Sequence, residues 1–305
     1  MDIVFTLIKQ VLQMLLLVIA GYLLFSRKKI SIEGSKTIAN LLIYASLPCV
    51  IINGFLIERT SEHVSGLLLS AVVAAVLLLF SIVISRFVFK KDAVAVFASS
   101  FSNPGFFGIP LITAVLGANA VFYTACFIAF LNILQWTFGV AILTGQSPRQ
   151  GLSLHRLLSA PFVIAILIGL LLFFSGIQLP PVVAGCVSSV AALNTPLSMF
   201  TIGVYLAQTD IAAMFRRRVL YKISFSRLLL IPLLSVLMLS ILPASLSDMK
   251  LALLLAVACP VGANVAVYAQ LHGKDYPYAV ETVVISTLLS IFTIPVVAWI
   301  SSVLW

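Results

Sequence analysis

The stretch from Ser100 to Pro110 combines a side-chain amide with proline and glycine inside an otherwise apolar segment. Pro104 removes a helical hydrogen bond and clashes with the preceding turn, and Gly105 loosens the backbone further. Asn103 adds an amide, which has two donors and an acceptor, where polar groups are costly without a partner. Broken backbone in mid-membrane is tolerated where it is buried in protein or lines a cavity, so we expect a binding site here.

A second stretch, Cys259–Asn264, repeats this combination near the other end of the chain, with Pro260 and Gly262 ahead of the amide. Each break creates a new helix N-terminus with free amide groups and about half a positive charge. Two such termini facing one cavity would attract an anion without a full positive charge in the membrane. The carbonyl groups that end the preceding half-helices would suit a cation such as Na⁺. The alternative is that each proline makes only a packing kink.

Ten residues around the two breaks are the candidates for contact with a substrate or ion: Ser100, Ser102, Asn103, Pro104, Gly105, Phe106, Pro260, Gly262, Ala263 and Asn264. The amides of Asn103 and Asn264 suit a carboxylate or an ion. For the two serines, the alternative is a hydrogen bond back to the carbonyl four residues earlier. For Phe106, the alternative is packing.

Glu281 is an acidic residue within an apolar segment, which makes it a candidate proton carrier, and Ser286 extends a polar face from it. The alternative is an interfacial carboxylate that reaches water or pairs with Lys274. Three residues on two further apolar segments are predicted to form the opposite wall of the cavity or to bond between helices: Tyr44, Pro48 and Thr195.

The composition places these residues in a membrane protein. The chain has 305 residues, of which 62% are hydrophobic and 9% are charged, whereas soluble domains carry about 25% charged residues. A membrane-spanning helix needs about 20 apolar residues. Ten such spans can be placed, at 3–25, 36–57, 65–88, 93–116, 120–143, 157–175, 182–207, 220–242, 250–271 and 278–303.

The basic residues predict the orientation of these spans. All but three of the 18 Lys and Arg residues fall in connections after odd-numbered spans, and the exceptions are Lys9, Arg59 and Lys250. The positive-inside rule therefore puts these connections in the cytoplasm and both termini on the outer side of the cell membrane. This distribution also explains the net charge of +9 without a nucleic-acid partner. The same count assigns Arg227 to the connection after the seventh span, although it falls within the eighth span, 220–242.

Five spans, a connection at 144–156 and five more spans suggest an internal duplication with halves 1–145 and 155–305. Because five is odd, the second half would be inverted relative to the first. Interruptions at corresponding positions of two inverted halves are typical of a transporter binding site. Pro104 in the fourth span and Pro260 in the ninth form such a pair, so we expect broken helices that cross near the midplane.

Signatures of enzymes are missing from the sequence. It contains no GxxxxGK[ST] motif for nucleotide binding, and its three histidines lack metal-ligand spacing. We therefore expect no enzyme and no cofactor or metal, with Na⁺ or H⁺ as the possible coupling ion. The cysteines lie singly in apolar runs and are predicted to be small buried hydrophobes: Cys49, Cys126, Cys186 and Cys259.

The chain resembles the auxin efflux carrier family over its whole length. The resemblance is carried by ten spans, by Leu47-Pro48 in the second, by Asn-Pro-Gly-Phe-Phe-Gly-Ile-Pro at 103–110 in the fourth, and by Pro260 with a following Asn264 in the ninth. The middle connection is short, which suits a bacterial member. That family includes plant carriers and bacterial permeases.

This resemblance implies a fold similar to the bile-acid/sodium symporters. Spans 1, 2, 6 and 7 would form a scaffold, and spans 3–5 and 8–10 a transport domain that binds its ligand at the helix crossing. The transport domain would move against the scaffold in an elevator-like cycle within a homodimer. The implied function is secondary active or facilitative transport of a small organic anion, a carboxylate. A Na⁺-coupled symporter and a membrane sensor that binds without translocation are the alternatives.

Overall fold

The computed structural model describes residues 2–145 and 159–305. Within these ranges the regular secondary structure is helical, apart from one isolated antiparallel bridge. The helices are α1 (Asp2–Ser26), α2 (Ile32–Phe55), α3 (Ser61–Phe89), α4 (Ala93–Ser100), α5 (Pro104–Leu116), α6 (Ala118–Thr144), α7 (Pro161–Ser175), α8 (Pro181–Ala207), α9 (Ile211–Arg216), α10 (Arg218–Leu239), α11 (Ser247–Ala258), α12 (Asn264–Leu271) and α13 (Tyr276–Leu304).

Seven helices in the described ranges are long and apolar enough to cross a membrane, namely α1, α2, α3, α6, α8, α10 and α13. Two shorter apolar helices, α5 and α7, accompany them. The chain is therefore an all-α, multi-pass membrane protein. The arrangement as ten spans in two inverted halves stays a prediction.

Two of the predicted spans are each divided into a pair of helices. The segment 93–116 contains α4 and α5, and the segment 250–271 contains α11 and α12. Pro104 is the first residue of α5, a position where its missing N–H would have no helical partner in any case. The proline therefore begins a new helix here and does not merely bend an existing one.

The helices pack in two groups. In the first, α1 lies along the second half of α8, and α2 packs on α7 and on the first half of α8. The backbones of α1 and α8 approach each other closely at Gly203. A Cβ there would lie only 2.3 Å from the carbonyl oxygen of Val18, so this contact requires glycine. In the second group, α3 packs on α4 and α6, and α13 packs on α10 and α12. Helix α11 packs on α6 and α10 and so belongs to the second group. Helix α5 contacts both groups, through α1 and α11, and α1 also contacts α13.

The predicted middle connection at 144–156 lies outside the described residues except for Thr144 and Gly145. This connection includes Arg149 and Arg156, which contributed to the predicted orientation. The first two residues of the predicted span 157–175 are also outside the described ranges, and α7 begins at Pro161.

Candidate functional site

The two helix breaks meet each other at one point. The backbone N–H of Gly262 donates to the carbonyl of Phe101 at 3.0 Å, and Ser102 pairs with Val261 in an antiparallel bridge. A Cβ on Gly262 would lie 2.8 Å from the carbonyl oxygen of Ser102. The two backbones can therefore approach this closely only because residue 262 has no side chain.

A cavity of about 50 Å³ lies beside this crossing. Eight of the ten predicted contact residues line it, and the two that do not are Ser100 and Pro260. The remaining wall comes from α2 and α6. The lining residues are Leu47, Ser102, Asn103, Pro104, Gly105, Phe106, Ile128, Leu131, Asn132, Gln135, Gly262, Ala263 and Asn264.

Three buried polar groups of residues that line the cavity have no hydrogen-bond partner among the described residues. They are Nδ2 of Asn103, Nε2 of Gln135 and Oγ of Ser102, and these residues are 7%, 1% and 2% exposed. A buried donor without an acceptor costs about 1–3 kcal/mol. Such groups in a native site call for a functional explanation, and a ligand with acceptor oxygens would satisfy them.

The amides are held in place by hydrogen bonds to their other atoms. Oδ1 of Asn103 accepts from the backbone N–H of Phe106 at 3.3 Å, so Asn103 caps α5 with its oxygen and keeps its NH₂ free. Nδ2 of Asn264 donates to Oε1 of Gln135 at 2.8 Å, which leaves the NH₂ of Gln135 free as well. Helix α12 begins without a side-chain cap, so its first N–H groups add positive potential near the cavity.

Helix α6 supplies two further amides to the cavity. Asn132 and Gln135 both line the cavity, and Nδ2 of Asn132 donates to the carbonyl of Ile128 at 2.8 Å. Two amides three residues apart lie on the same face of a helix. That spacing in an apolar segment is the sequence signal that identifies them.

Arg227 lies beside the crossing. The charge count assigned it to a connection, but it falls within the predicted span 220–242, and the structure agrees with the span. It is an interior residue of α10 and only 1% exposed. Its Nη1 donates to Oγ of Ser81 at 3.1 Å and to the carbonyls of Ser99 and Ser100 at 3.0 and 3.1 Å, and its Nη2 donates to the carbonyl of Val257. These carbonyls belong to the last residues of α4 and α11. Charge counting missed this residue because it treats each cation as a loop residue.

Ser100, Pro260 and Ser286 support the crossing without lining the cavity. Oγ of Ser100 donates to the carbonyl of Val96 at 2.7 Å, which is the back-bonding expected of serine in a membrane helix. Pro260 is buried within the break. Oγ of Ser286 accepts from the backbone N–H of Val261 at 3.0 Å and so satisfies a donor that the broken helix leaves free.

Glu281 forms an ion pair near the start of α13. Its Oε2 accepts from Nη1 of Arg217 at 2.8 Å, so its partner is not Lys274. The carboxylate side chain is 9% exposed and the arginine side chain is 46% exposed. The role of Glu281 as a proton carrier stays a prediction.

The residues predicted on the opposite wall lie in different places. The side chain of Tyr44 is 68% exposed on the surface of α2, away from the cavity. Pro48 is half-buried in α2 and does not line the cavity either. Thr195 lines a second cavity, of about 360 Å³, between the two groups of helices. Polar side chains in that second cavity are Gln10, Asn53, Thr113, Ser188, Asn194 and Thr195.

Two hydrogen bonds from α8 hold the first turn of α5. Nδ2 of Asn194 donates to the carbonyl of Gly105 at 3.0 Å. Oγ of Ser198 donates to the carbonyl of Phe106 at 3.0 Å. Both acceptors belong to residues that line the cavity at the crossing, so this turn lies between the two cavities.

A relative of this chain has a named substrate. The "Putative malonate transporter" of Rhizobium meliloti (strain 1021) is 26% identical over 209 residues, which cover 65% of this chain and 63% of that protein. The match thus spans less than two thirds of the relative's length.

A family model described as "Membrane transport protein" matches residues 6–152 and 147–298. The two matches extend over nearly the whole chain, including both helix breaks and the cavity between them. The chain belongs to this membrane transport protein family, the auxin efflux carrier family.

Proposed function

We propose that this protein transports a small organic anion, a carboxylate, across the cell membrane by binding it in the cavity at the helix crossing. The observation that supports the proposal is the set of three buried polar groups without partners, on Ser102, Asn103 and Gln135, that face this one cavity. A carboxylate has two oxygens that can accept from them. The name of the Rhizobium meliloti relative, which refers to malonate, agrees with this substrate class.

The electrostatics of the cavity support an anionic substrate. Its lining contains amides, a hydroxyl, apolar side chains and backbone, but no acidic side chain. The N-termini of α5 and α12 lie at its edge, and each contributes a partial positive charge. Donors fixed in a site that excludes most water bind an anion without large reorganisation.

The proposed transport cycle is of the elevator type. The scaffold would consist of α1, α2, α7 and α8, and the transport domain of the remaining helices, with ten spans in two inverted repeats. Packing supports this division, because α1 lies along α8 and α2 packs on both α7 and α8. Both termini would lie outside the cell, and two copies would form a homodimer. Energy would come from the anion's own gradient or from a coupled ion.

Uptake of radiolabelled malonate into proteoliposomes tests this function. We expect wild-type protein to take up malonate, and Asn103→Ala and Asn264→Ala to reduce uptake about tenfold, because a hydrogen bond to a charged group contributes about 1.5–3 kcal/mol. Asn119→Ala is the matched control, since Asn119 is exposed and does not line the cavity. Wild-type uptake in both cavity variants would refute the assignment of the site.

The same preparation separates transport from sensing. A sensor would bind malonate, with a rise in melting temperature, and would show no uptake. A transporter shows both effects. If neither is found with malonate, a panel of small mono- and dicarboxylates in the same two measurements decides whether the substrate class is correct.

A further inference from the structure

Among the described residues, the guanidinium group of Arg227 is a buried cation without a carboxylate partner. The ion pair found in the described ranges joins Arg217 to Glu281 and does not involve Arg227. The acceptors around Arg227 are three backbone carbonyls and the hydroxyl of Ser81. An unpaired buried charge is strongly unfavourable, so these neutral groups must supply the compensating potential.

The C-termini of two half-helices supply that potential. The carbonyls of Ser99 and Ser100 end α4, and the carbonyl of Val257 is in the last turn of α11. Each helix C-terminus carries about half a negative charge. Two of them together therefore match the single positive charge of one guanidinium.

A bound monovalent cation would be held by the same kind of ligands, the backbone carbonyls at two helix C-termini. Carbonyls from the ends of discontinuous helices are the ligands that hold coupling ions in secondary transporters. Here a side chain of the protein already donates to them. Arg227 does not line the cavity at the crossing, so its charge serves the helix ends and does not contact the anion directly.

We propose that Arg227 is a built-in cation that takes the place of a coupling Na⁺ at the helix crossing. It fixes the C-termini of α4 and α11, and thereby positions the breaks whose other sides, α5 and α12, bind the anion. Anion transport is then independent of Na⁺. This inference rests on the proposed function where malonate uptake is the quantity measured. Arg227 acts as a positioning residue.

The first test uses the wild-type protein. Malonate uptake into proteoliposomes is measured with Na⁺ outside and with choline in its place, at equal ionic strength and membrane potential. We expect equal rates in the two media. Stimulation of uptake by the Na⁺ gradient would overturn the proposal.

The second test removes the cation and returns it. We expect Arg227→Ala to lower malonate uptake about tenfold or more, because the carbonyls and the serine lose their shared donor. Guanidinium chloride at millimolar concentration is expected to restore part of this uptake, and Arg227→Lys to retain more uptake than Arg227→Ala. If Arg227 acted only by packing its aliphatic chain, a small free cation would not restore uptake. Full uptake by Arg227→Ala in choline alone would contradict the proposal.

Lys250→Ala is the matched control. Lys250 is also a buried cation, 2% exposed, and its Nζ donates to the carbonyl of Leu242 at 3.4 Å. It lies near the start of α11, away from the break at the other end of that helix. We expect guanidinium to leave both the uptake and the melting temperature of this variant unchanged.

Melting temperatures keep the inference separate from the proposed function. Guanidinium at the same concentration should raise the melting temperature of purified Arg227→Ala above its value in choline and should not raise that of the wild type. This measurement requires no substrate. If the wild type neither binds nor transports malonate, the substrate proposal fails while the melting comparison still decides the role of Arg227. No stabilisation of Arg227→Ala by guanidinium, together with no rescue of uptake, overturns the inference.

Discussion

The amide of Gln135 donates no hydrogen bond within the described residues, although its oxygen accepts one from Asn264. At the scale of single residues, the amide oxygen of Gln135 is hydrogen-bonded and fixes the orientation of this side chain, while the NH₂ group has no partner in the described part of the chain. Asn103 follows the same pattern, with its oxygen on the N-terminus of α5 and its NH₂ unpartnered. Such groups cost free energy in the empty protein, and binding of an acceptor recovers it.

Gln135→Leu tests whether the free NH₂ group of Gln135 donates to the substrate. We expect malonate uptake to fall about tenfold, because a donor to the anion is removed and Asn264 loses its acceptor. Gln208→Leu is the control, since the side-chain amide of Gln208 donates to the carbonyl of Val204 within its own helix, at the end of α8, and does not line the cavity. Equal uptake by the two variants would show that Gln135 does not contact the substrate.

Glu281→Gln distinguishes an ion pair from a proton carrier. The pair with Arg217 is partly exposed, so its loss should cost at most about 1 kcal/mol of stability. We expect an imposed pH gradient to affect malonate uptake by Glu281→Gln to the same extent as uptake by the wild type. Loss of that response in Glu281→Gln, with unchanged melting temperature, would instead support the proton-carrier role.

At the scale of helices, the site depends on how closely two broken helices approach each other. Gly262 is the point of contact, and an added methyl group would lie 2.8 Å from the carbonyl oxygen of Ser102. The bridge and the hydrogen bond to Phe101 both need that approach. The positions of Asn103 and Asn264 relative to each other follow from it.

Gly262→Ala should therefore separate the breaks. We expect a loss of about 1–3 kcal/mol in stability, as for overpacking, and a large loss of malonate uptake. Thermal unfolding and uptake measure the two effects. Gly185→Ala is the control in α8, where a Cβ meets no atom within 4 Å and alanine favours the helix. A normal rate of uptake in Gly262→Ala would mean that the crossing tolerates a wider separation.

At the scale of the whole molecule, the two groups of helices must move relative to each other if transport is of the elevator type. The hydrogen bonds from Asn194 to Gly105 and from Ser198 to Phe106 join the groups. Each would have to break during the cycle. Contacts within one group, such as that from Ser46 of α2 to the carbonyl of Val190 in α8, would persist.

Cross-linking compares these two kinds of contact. In a background without the four native cysteines, we expect a disulfide between Ser198→Cys and Phe106→Cys to stop malonate uptake, and reduction to restore it. The control disulfide joins Ser46→Cys and Val190→Cys, where a serine hydroxyl also lies 3.0 Å from a backbone carbonyl. Unchanged uptake with the first disulfide formed would contradict a sliding movement at this contact.

The sequence was sufficient to predict a membrane protein with helix breaks at Pro104 and Pro260 and amides beside them. Hydropathy, proline and glycine act locally, so a helix that cannot continue is visible in the chain itself. The family resemblance rests on the same local motifs, and the match of the family model agrees with it.

The roles of Gln135 and Arg227 depend on contacts between residues distant in the chain. Gln135 reaches Asn264 across 129 residues, and Arg227 reaches Ser99 across 128. A charge in an apolar sequence predicts a loop when only its hydration is considered. In the folded protein, the carbonyl ends of two helices solvate that charge, and no local pattern reveals that they meet around residue 227.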